Sequence, residues 1–138
     1  MLKSLEEHND LWKVHRVLHR GFNHSGEPPE DQLDDRRIMQ SSPNFRPDLT
    51  IVAIAPSGDY ATYSGLWYDQ RNRYCYVEPV ATDPDYRRRG LGTATVMESI
   101  RRSALLGAEV AYVSSDQAFY GSMGFQKLNS HHCWTKNL

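Results

Sequence analysis

Residues Val80–Thr93, with the sequence VATDPDYRRRGLGT, contain the signals that decide the fold. The β-branched residues before Thr82 predict the end of a strand, and the spacing of apolar residues after Gly90 predicts the start of a helix. The first N–H groups of a helix have no intrahelical partner, and the helix dipole makes their surroundings positive. This strand, loop and helix therefore predict an anion site formed by the backbone.

Glycines and arginines at the start of this helix favour a phosphate as the anion. Gly90 and Gly92 have no Cβ to keep a phosphate from the backbone, and three arginines precede them: Arg87, Arg88 and Arg89. A Gly-x-Gly before a helix is common, however, and an arginine run is often only a solvated loop. The stretch also lacks the Lys-Ser or Lys-Thr of a P-loop and the third glycine of a dinucleotide fingerprint, which disfavours both of those sites.

The flanking sequence predicts further helices and strands in one contiguous chain. Apolar residues at helical spacing predict helices over Leu5–Phe22 and Glu30–Gln40. Segments rich in β-branched and aromatic residues, joined by short polar loops, predict an antiparallel meander. The predicted strands are Leu49–Ile54, Tyr60–Tyr68, Tyr74–Thr82 and Val110–Val113, the later helices are Leu91–Leu106 and Asp116–Met123, and Phe125–Trp134 has mixed strand and turn signals. This order indicates an α+β fold.

Composition excludes several function classes. The 138 residues, 39% of them hydrophobic, suit one domain with its own core. The 16 Lys and Arg residues against 17 Asp and Glu give a net charge of −1, so no overall field attracts nucleic acid or an anionic membrane. The sequence has no apolar run of about 18 residues and no signal-peptide pattern at its start, so we expect a soluble, cytoplasmic protein without membrane contacts.

Two motifs in the right order resemble those of the GNAT acetyltransferase superfamily. Arg87-x-x-Gly90-x-Gly92 after a strand resembles its acyl-coenzyme A signature, and Ala118–Phe125, AFYGSMGF, is similar to its Ala-x-Tyr-x-x-x-Gly-Phe closing motif. The resemblance implies a three-layer arrangement in which helices flank a mixed, mostly antiparallel twisted sheet. It also implies transfer of an acetyl group from acetyl-coenzyme A, the co-substrate, to a primary amine.

The resemblance further implies which residues bind the coenzyme. Backbone groups of Val80 and Thr82 would hydrogen-bond the pantetheine arm, and the amides of Arg89–Thr93 would hold the pyrophosphate. The full set of expected cofactor-binding residues is Val80, Ala81, Thr82, Arg87, Arg88, Arg89, Gly90, Leu91, Gly92 and Thr93. An asparagine that many of these enzymes have before the closing motif is missing, and Ser114, Ser115 and Asp116 stand there instead.

Two residues are candidates for catalysis. By the resemblance, Tyr120 lies near the thioester sulfur, where a phenol of pKa about 10 can protonate the departing thiolate; the alternative is a packing aromatic. Glu78 is our candidate for the base that takes a proton from the amine, because the strand period places it on one face with Tyr74, Tyr76 and Val80. An ordinary strand-edge or salt-bridge glutamate is the alternative. A backbone N–H in the stretch from Val80 to Thr82 would meet the charge that develops on the carbonyl oxygen.

Cysteines and histidines give no metal site. Cys75 alternates to the strand face opposite Glu78 and is expected to fill the core or the surface, and both Cys75 and Cys133 are expected to be reduced. His15 and His19 have i, i+4 spacing but lack the glutamate of a His-Glu-x-x-His site, so they are interpreted as helix-surface histidines. Adjacent residues His131–Cys133 would point to opposite strand faces. His131 or His132 could instead border the acceptor pocket.

One departure from the family pattern concerns the first strand. In the family this strand precedes the first helix, whereas the helix predicted here begins within a few residues of Met1. We therefore expect residues 1–138 to form a single GNAT-like domain without the first strand, or a fragment or C-terminal domain of a longer protein. The uncovered sheet edge makes a homodimer a reasonable expectation.

Other function classes stay open beside an N-acetyltransferase. A non-catalytic acyl-coenzyme A binding or regulatory module, or a part of a larger enzyme, is favoured by the missing first strand and disfavoured by Tyr120. A nucleic-acid module that uses Arg87–Arg89 with Arg101 and Arg102 is disfavoured by the near-neutral charge. Acidic residues in segments that would line the acceptor site favour a cationic small-molecule or peptide amine. These segments contain Trp12, Trp67, Glu30, Asp34 and Asp35.

Overall fold

A computed structural model describes residues 1–130 and 134–136. Its strands are β1 (Leu2–Ser4), β2 (Ile51–Ile54), β3 (Tyr60–Asp69), β4 (Tyr74–Thr82) and β5 (Val110–Tyr112). Its α-helices are α1 (Leu11–Gly21), α2 (Leu33–Gln40), α3 (Leu91–Leu105) and α4 (Ala118–Gly121), and 3₁₀ turns occupy Glu30–Gln32 and Pro84–Tyr86. Within these residues, no helix combines the length and the apolar character that a membrane span requires.

The strands form one sheet in the order β1-β2-β3-β4-β5. All neighbours are antiparallel except β4 and β5, which are parallel. Helix α1 buries Val14, Val17 and Leu18 against one face of the sheet, and α3 places Val96 in a second cluster with Cys75 and Val77. The predicted meander and the mostly antiparallel sheet with flanking helices are confirmed.

The prediction that the first strand is absent is wrong. Residues Leu2–Ser4 pair with β2 in antiparallel register, with Ser4 opposite Ile51. Leu5 is buried and takes part in the core, but it lies in a turn rather than in a helix. That turn is closed by the Glu7 carboxylate, which accepts from the Ser4 amide at 2.9 Å. The predicted helix therefore started too early, since Leu5 serves the core from a turn before the helix begins.

Helix α1 begins later than the sequence suggested because Asp10 caps it. The Asp10 carboxylate accepts from the Lys13 amide at 3.1 Å, which satisfies one of the unpartnered N–H groups of the first turn. With β1 in place, the outer edge of β2 is covered. The reason for expecting a homodimer is therefore gone, and dimer formation stays a prediction.

The end of the described chain has less regular structure than the sequence indicated. The predicted helix Asp116–Met123 is reduced to one turn, α4, and Gly124 follows it with a left-handed φ of 94°. Residues 125–130 and 134–136 contain no strand, so the strand signals of Phe125–Trp134 are not realised there. His131–Cys133 lie outside the described residues.

Candidate active site

β4 and β5 separate after a short stretch of pairing. Tyr74 pairs with Val110 and Tyr76 pairs with Tyr112, where β5 ends, but β4 continues to Thr82. From Val77 onward, the edge of β4 that faces away from β3 has no neighbouring strand in the described part of the chain. The two strands therefore leave a gap beside the second half of β4.

The register of β4 shows which backbone groups face this gap. The Asp83 amide donates to the Ala61 carbonyl at 3.0 Å, and hydrogen-bonded pairs alternate along an antiparallel ladder. Ala81 therefore bonds toward β3, while the N–H and C=O groups of Val80 and Thr82 point toward the gap. The Thr82 carbonyl accepts from the Arg87 Nε at 3.1 Å. Both groups of Val80 and the Thr82 amide stay available to an extended ligand.

The loop after β4 ends in a cluster of backbone amides. Arg88 and Gly90 both have left-handed φ angles, of 60° and 73°, which turn the chain into α3. The first intrahelical donor is the Ala94 amide, which bonds the Gly90 carbonyl at 3.0 Å. The amides of Leu91–Thr93 bond no group within residues 1–130. They form an anion site at the end of the gap.

Glycine is needed at positions 90 and 92 for different reasons, and the reason at position 92 differs from the one that the sequence suggested. A Cβ on Gly90 would meet nothing within 4 Å, so this position is open to a ligand. A Cβ on Gly92 would lie 3.1 Å from the Thr82 Oγ1 and 3.3 Å from the Phe119 Cζ, inside the protein. Gly92 allows α3 to approach β4 and α4 closely, and it does not clear space for a phosphate.

The three consecutive arginines are also not equivalent. The Arg87 guanidinium donates to the Gly21 carbonyl at 2.9 Å and to the Asn23 Oδ1 at 2.7 Å, so it joins the loop to the end of α1. Arg89 donates to the Asp85 carbonyl at 3.1 Å, and its guanidinium lies 5.6 Å from the centre of the Tyr86 ring. Arg88 and Arg89 are exposed beside the amide cluster. These two, rather than Arg87, can add positive charge to the anion site.

A buried carboxylate that the sequence analysis missed anchors the loop. Asp83 is fully buried, and its carboxylate accepts from the Arg20 Nε at 2.7 Å, with Arg16 at 3.6 Å. Burial acts to raise the pKa of Asp83, but the hydrogen bond from Arg20, the Asp85 amide and the charges of both arginines hold it below its usual value. The i, i+4 spacing of Arg16 and Arg20 is the signal that points to a carboxylate partner of α1.

Tyr120 lies on α4 among other aromatic rings. Its ring centre is 5.0 Å from that of Phe119 and 5.8 Å from that of Phe125, both in edge-on geometry, and 9% of the residue is exposed. Its hydroxyl bonds no other group among the residues described. Burial raises the pKa of Tyr120, and the negative charge of Glu78 raises it further. The structure thus brings Glu78 close enough to Tyr120 for their charges to interact.

A β-bulge places Glu78. Across β3 and β4, Leu66 pairs with Val77 but Ser64 pairs with Val80, so Glu78 and Pro79 together face a single residue, Gly65. A Cβ on Gly65 would lie 2.5 Å from the Glu78 carbonyl oxygen, so only glycine fits there.

The bulge corrects one part of the sequence interpretation. Val80 packs with Cys75 and Val77 on the α3 side of the sheet, because the extra residue reverses the alternation. Val80 therefore does not share a face with Tyr76. Glu78 itself is exposed, and it borders a small cavity beneath α2.

Other candidate residues have structural roles. Cys75 is buried and its Sγ accepts from the Ser103 hydroxyl at 3.3 Å, and burial raises the pKa of the thiol. Of the two predicted alternatives, core and surface, Cys75 lies in the core. The prediction of a surface histidine is wrong for His15, which is buried and bonds the Pro29 carbonyl at 3.0 Å. His19 bonds the Ser25 carbonyl at 3.2 Å. Within the residues described, no three His, Cys, Asp or Glu side chains form a metal-binding group.

The residues expected near an acceptor lie on the α2 side of the sheet. Trp67 lines the small cavity beside Glu78. The Trp12 ring stands edge-on to His15 with centres 5.8 Å apart. The carboxylates of Glu30, Asp34 and Asp35 are exposed in the turn before α2 and in its first turn, where Asp34 pairs with Arg37.

Comparisons with known proteins agree with this arrangement. A family model described as an acetyltransferase (GNAT) domain matches residues 47–127. CgeE of Bacillus subtilis (strain 168), an uncharacterized N-acetyltransferase, is 23% identical over 139 residues, covering 94% of this chain and 50% of CgeE. The chain therefore spans about half the length of this curated relative.

Solved structures share the fold. The Trypanosoma brucei acetyltransferase Tb11.01.2886 is 22% identical with a TM-score of 0.72, over 99% of both chains. AAC(6')-Iy, solved with the bisubstrate analogue CoA-S-monomethyl-acetylneamine, is 15% identical with a TM-score of 0.68, over 100% of this chain and 98% of that one. At these identities the structures show a common fold alone. The family model matches more than half of the residues of this chain, so the chain belongs to the GNAT acetyltransferase family.

Proposed function

We propose that this chain transfers an acetyl group from acetyl-coenzyme A to a primary amine by direct attack. The observation that carries the proposal is the gap between β4 and β5. Backbone groups of Val80 and the Thr82 amide line it, and the amides of Leu91–Thr93 close one end. Tyr120 carries a hydroxyl that bonds no described residue, and the charge of Glu78 reaches it. Membership of the family supports acetyl transfer, and AAC(6')-Iy was solved with a coenzyme A analogue.

The chemistry of this gap fits acetyl-coenzyme A. The Val80 carbonyl and the Thr82 amide would bond the amides of the pantetheine arm as an added strand would, which leaves the Val80 amide for the thioester carbonyl. The amides of Leu91–Thr93, with Arg88 and Arg89 beside them, would hold the pyrophosphate. When bound, acetyl-coenzyme A supplies an acetyl group activated as a thioester.

The chain's own groups account for the proton transfers. As the amine nitrogen forms the new N–C bond and the C–S bond breaks, the Tyr120 hydroxyl donates its proton to the departing sulfur. Glu78 accepts a proton from the amine, directly or through water, because its carboxylate is exposed to solvent. The Val80 amide faces the gap and can donate to the carbonyl oxygen as it gains negative charge.

A binding measurement tests the coenzyme site. Acetyl-coenzyme A at about 100 times its dissociation constant should raise the free energy of unfolding by about 2.7 kcal/mol. Thr93→Glu should abolish this rise, because a carboxylate in the first turn of α3 repels the pyrophosphate while it suits the helix dipole. Thr93→Gln is the matched neutral control and should keep the rise. A wild-type chain that acetyl-coenzyme A does not stabilise, or a Thr93→Glu variant that is stabilised normally, would contradict the proposal.

Catalysis is tested separately from binding. Tyr120→Phe should lower kcat by about 10²- to 10⁴-fold, the usual contribution of a general acid, without changing stabilisation by acetyl-coenzyme A. The measurement is release of the coenzyme A thiol in the presence of amines. Unchanged kcat in Tyr120→Phe would remove Tyr120 from the mechanism.

A non-catalytic acyl-coenzyme A module is the competing proposal. The main support for this module was the expectation that the first strand is missing, and the presence of β1 removes that support. Stabilisation by acetyl-coenzyme A without thiol release on any amine would favour this module. That residues 1–138 act as a single domain stays a prediction, as does the absence of nucleic-acid partners.

A further inference from the structure

One partly buried arginine has no carboxylate partner in the described part of the chain. Arg36 lies on α2, and no acidic side chain there comes within 4 Å of its guanidinium. Its neighbour Arg37 pairs with Asp34, and the arginines of α1 pair with Asp83. Arg36 donates instead from its Nε to the His15 Nδ1, at 3.3 Å. Four of its five N–H donors, all on the two Nη atoms, are left for another group.

The hydrogen bonds of His15 fix the position of Arg36. His15 is 1% exposed, and its Nε2 lies 3.0 Å from the Pro29 carbonyl oxygen. Because that oxygen can only accept, Nε2 carries the hydrogen; because the guanidinium can only donate, Nδ1 is bare. Both contacts require the same tautomer. His15 therefore holds the Nε side of Arg36, and the two Nη atoms stay available. Together these two atoms can donate to both oxygens of a carboxylate.

Arg36 lies on the same side of the sheet as Glu78. Arg36 bonds His15 of α1, and α1 packs its Val14 and Val17 with Tyr63 on this side of the sheet. Tyr63 lines the small cavity under α2 together with Met39, one helical turn after Arg36, and with Trp67 and Glu78. Glu78 on β4 thus borders this cavity, and Arg36 lies one helical turn before Met39, which also borders it. Arg36 and Glu78 are not paired with each other at 4 Å or less.

We propose that Arg36 binds a carboxylate of the acceptor, so that the substrate is a small molecule with both an amine and a carboxylate, such as an amino acid. The inference rests on the proposed acetyl transfer. The amine end of such a molecule is attracted to Glu78, where it is to react, and the carboxylate end to Arg36. His15 is a positioning residue, since it acts only through Arg36.

Pairs of amines that differ only in the carboxylate test this inference. Glycine, β-alanine and L-lysine are compared with their carboxamides, by thiol release and by stabilisation of the chain already bound to coenzyme A. The carboxylates should have a kcat/KM about 10- to 100-fold higher than the amides, mainly through KM. Arg36→Gln should remove this difference by raising KM for the carboxylates, and Arg36→Lys should retain part of it. Arg37→Gln, on the neighbouring exposed arginine, is the matched control. It should change neither the KM for the carboxylates nor the difference between carboxylates and amides.

Stabilisation by acetyl-coenzyme A separates the two possible failures. If the wild type is stabilised but no carboxylate is bound or acetylated better than its amide, the inference about Arg36 is wrong and the proposed function stands. The inference is also wrong if Arg36→Gln and Arg36→Lys lower activity equally on the carboxylates and on their carboxamides while acetyl-coenzyme A stabilises both variants normally. If acetyl-coenzyme A does not stabilise the wild type, the proposed function fails, and this inference fails with it.

Discussion

The charge of Glu78 affects the chemistry of Tyr120. Burial among aromatic rings disfavours the phenolate of Tyr120, and the Glu78 carboxylate disfavours it further, so both raise the pKa of Tyr120. A phenol that keeps its proton at neutral pH suits a general acid. The bulge opposite Gly65 determines where Glu78 lies relative to Tyr120, because it places Glu78 at the point where β4 leaves β5.

We therefore expect Glu78→Gln to lower the pKa of Tyr120. Loss of the negative charge makes the phenolate easier to form, and only burial and the smaller effect of Tyr76 then keep the pKa of Tyr120 raised. The measurement is an ultraviolet titration of the phenolate band, taken as the difference between each protein and its Tyr120→Phe version. Glu109→Gln serves as the control, because Glu109 is an exposed residue that pairs with Arg73. An unchanged or raised pKa in Glu78→Gln would mean that the two groups do not interact.

At the scale of elements, the end of α1 is held against the end of β4. Arg20 bonds the buried Asp83, and Arg87 bonds the Gly21 carbonyl, so both sides of the loop contact the same helix. Gly21 makes the approach possible, since a Cβ there would lie 2.7 Å from the Ala81 Cβ. The position of the free Val80 and Thr82 amides therefore depends on how α1 packs.

This contact predicts the effect of adding one methyl group. Gly21→Ala should lower the free energy of unfolding by about 1–3 kcal/mol, because two fixed carbons would overlap and α1 would have to move. Gly121→Ala on α4 is the matched control: its Cβ would meet nothing within 4 Å, so stability should stay equal or rise by about 0.5 kcal/mol. Urea unfolding of both variants measures the difference. Equal stability of the two variants would show that α1 does not depend on this close approach.

At the scale of the whole molecule, local signals predicted most of the fold and contacts between distant segments did not. The limits of β4 and the start of α3 follow from strand composition and from the glycine cap, and both were predicted from the sequence. The strand Leu2–Ser4 has three residues, too few for a periodic pattern, and it exists because β2 pairs with it. The face of Val80 was missed because the bulge depends on Gly65 in the neighbouring strand. Pro79 inside a strand was the available signal of a bulge.

One group of charges joins α3 to the turn after β1 and should contribute to stability in acid. Arg102 of α3 bonds Glu98 at 2.8 Å and Glu7, in the turn after β1, at 3.2 Å. Bonds from the Ser4 amide, from Lys3 and from the Ser4 hydroxyl lower the pKa of Glu7 to about 2. Hydrogen bonds from Arg101 and, against the effect of burial, from Arg102 lower the pKa of Glu98 to about 2.

Both carboxyls have folded pKa values below the ordinary value of 4.5, so the stability that they contribute is complete above about pH 4.5 and is lost as the pH falls toward 2. Glu98→Gln should therefore be less stable than the wild type at pH 7, and the difference should shrink steadily between pH 4.5 and 2. The double variant with Glu7→Gln should show a still flatter dependence on pH over that range. Urea unfolding midpoints measured from pH 7 to pH 2 make the test, with Glu109→Gln as a control that keeps the wild-type slope. If Glu98→Gln and the wild type lose stability in parallel down to pH 2, Arg101 and Arg102 do not hold the Glu98 carboxylate in the way that its hydrogen bonds indicate.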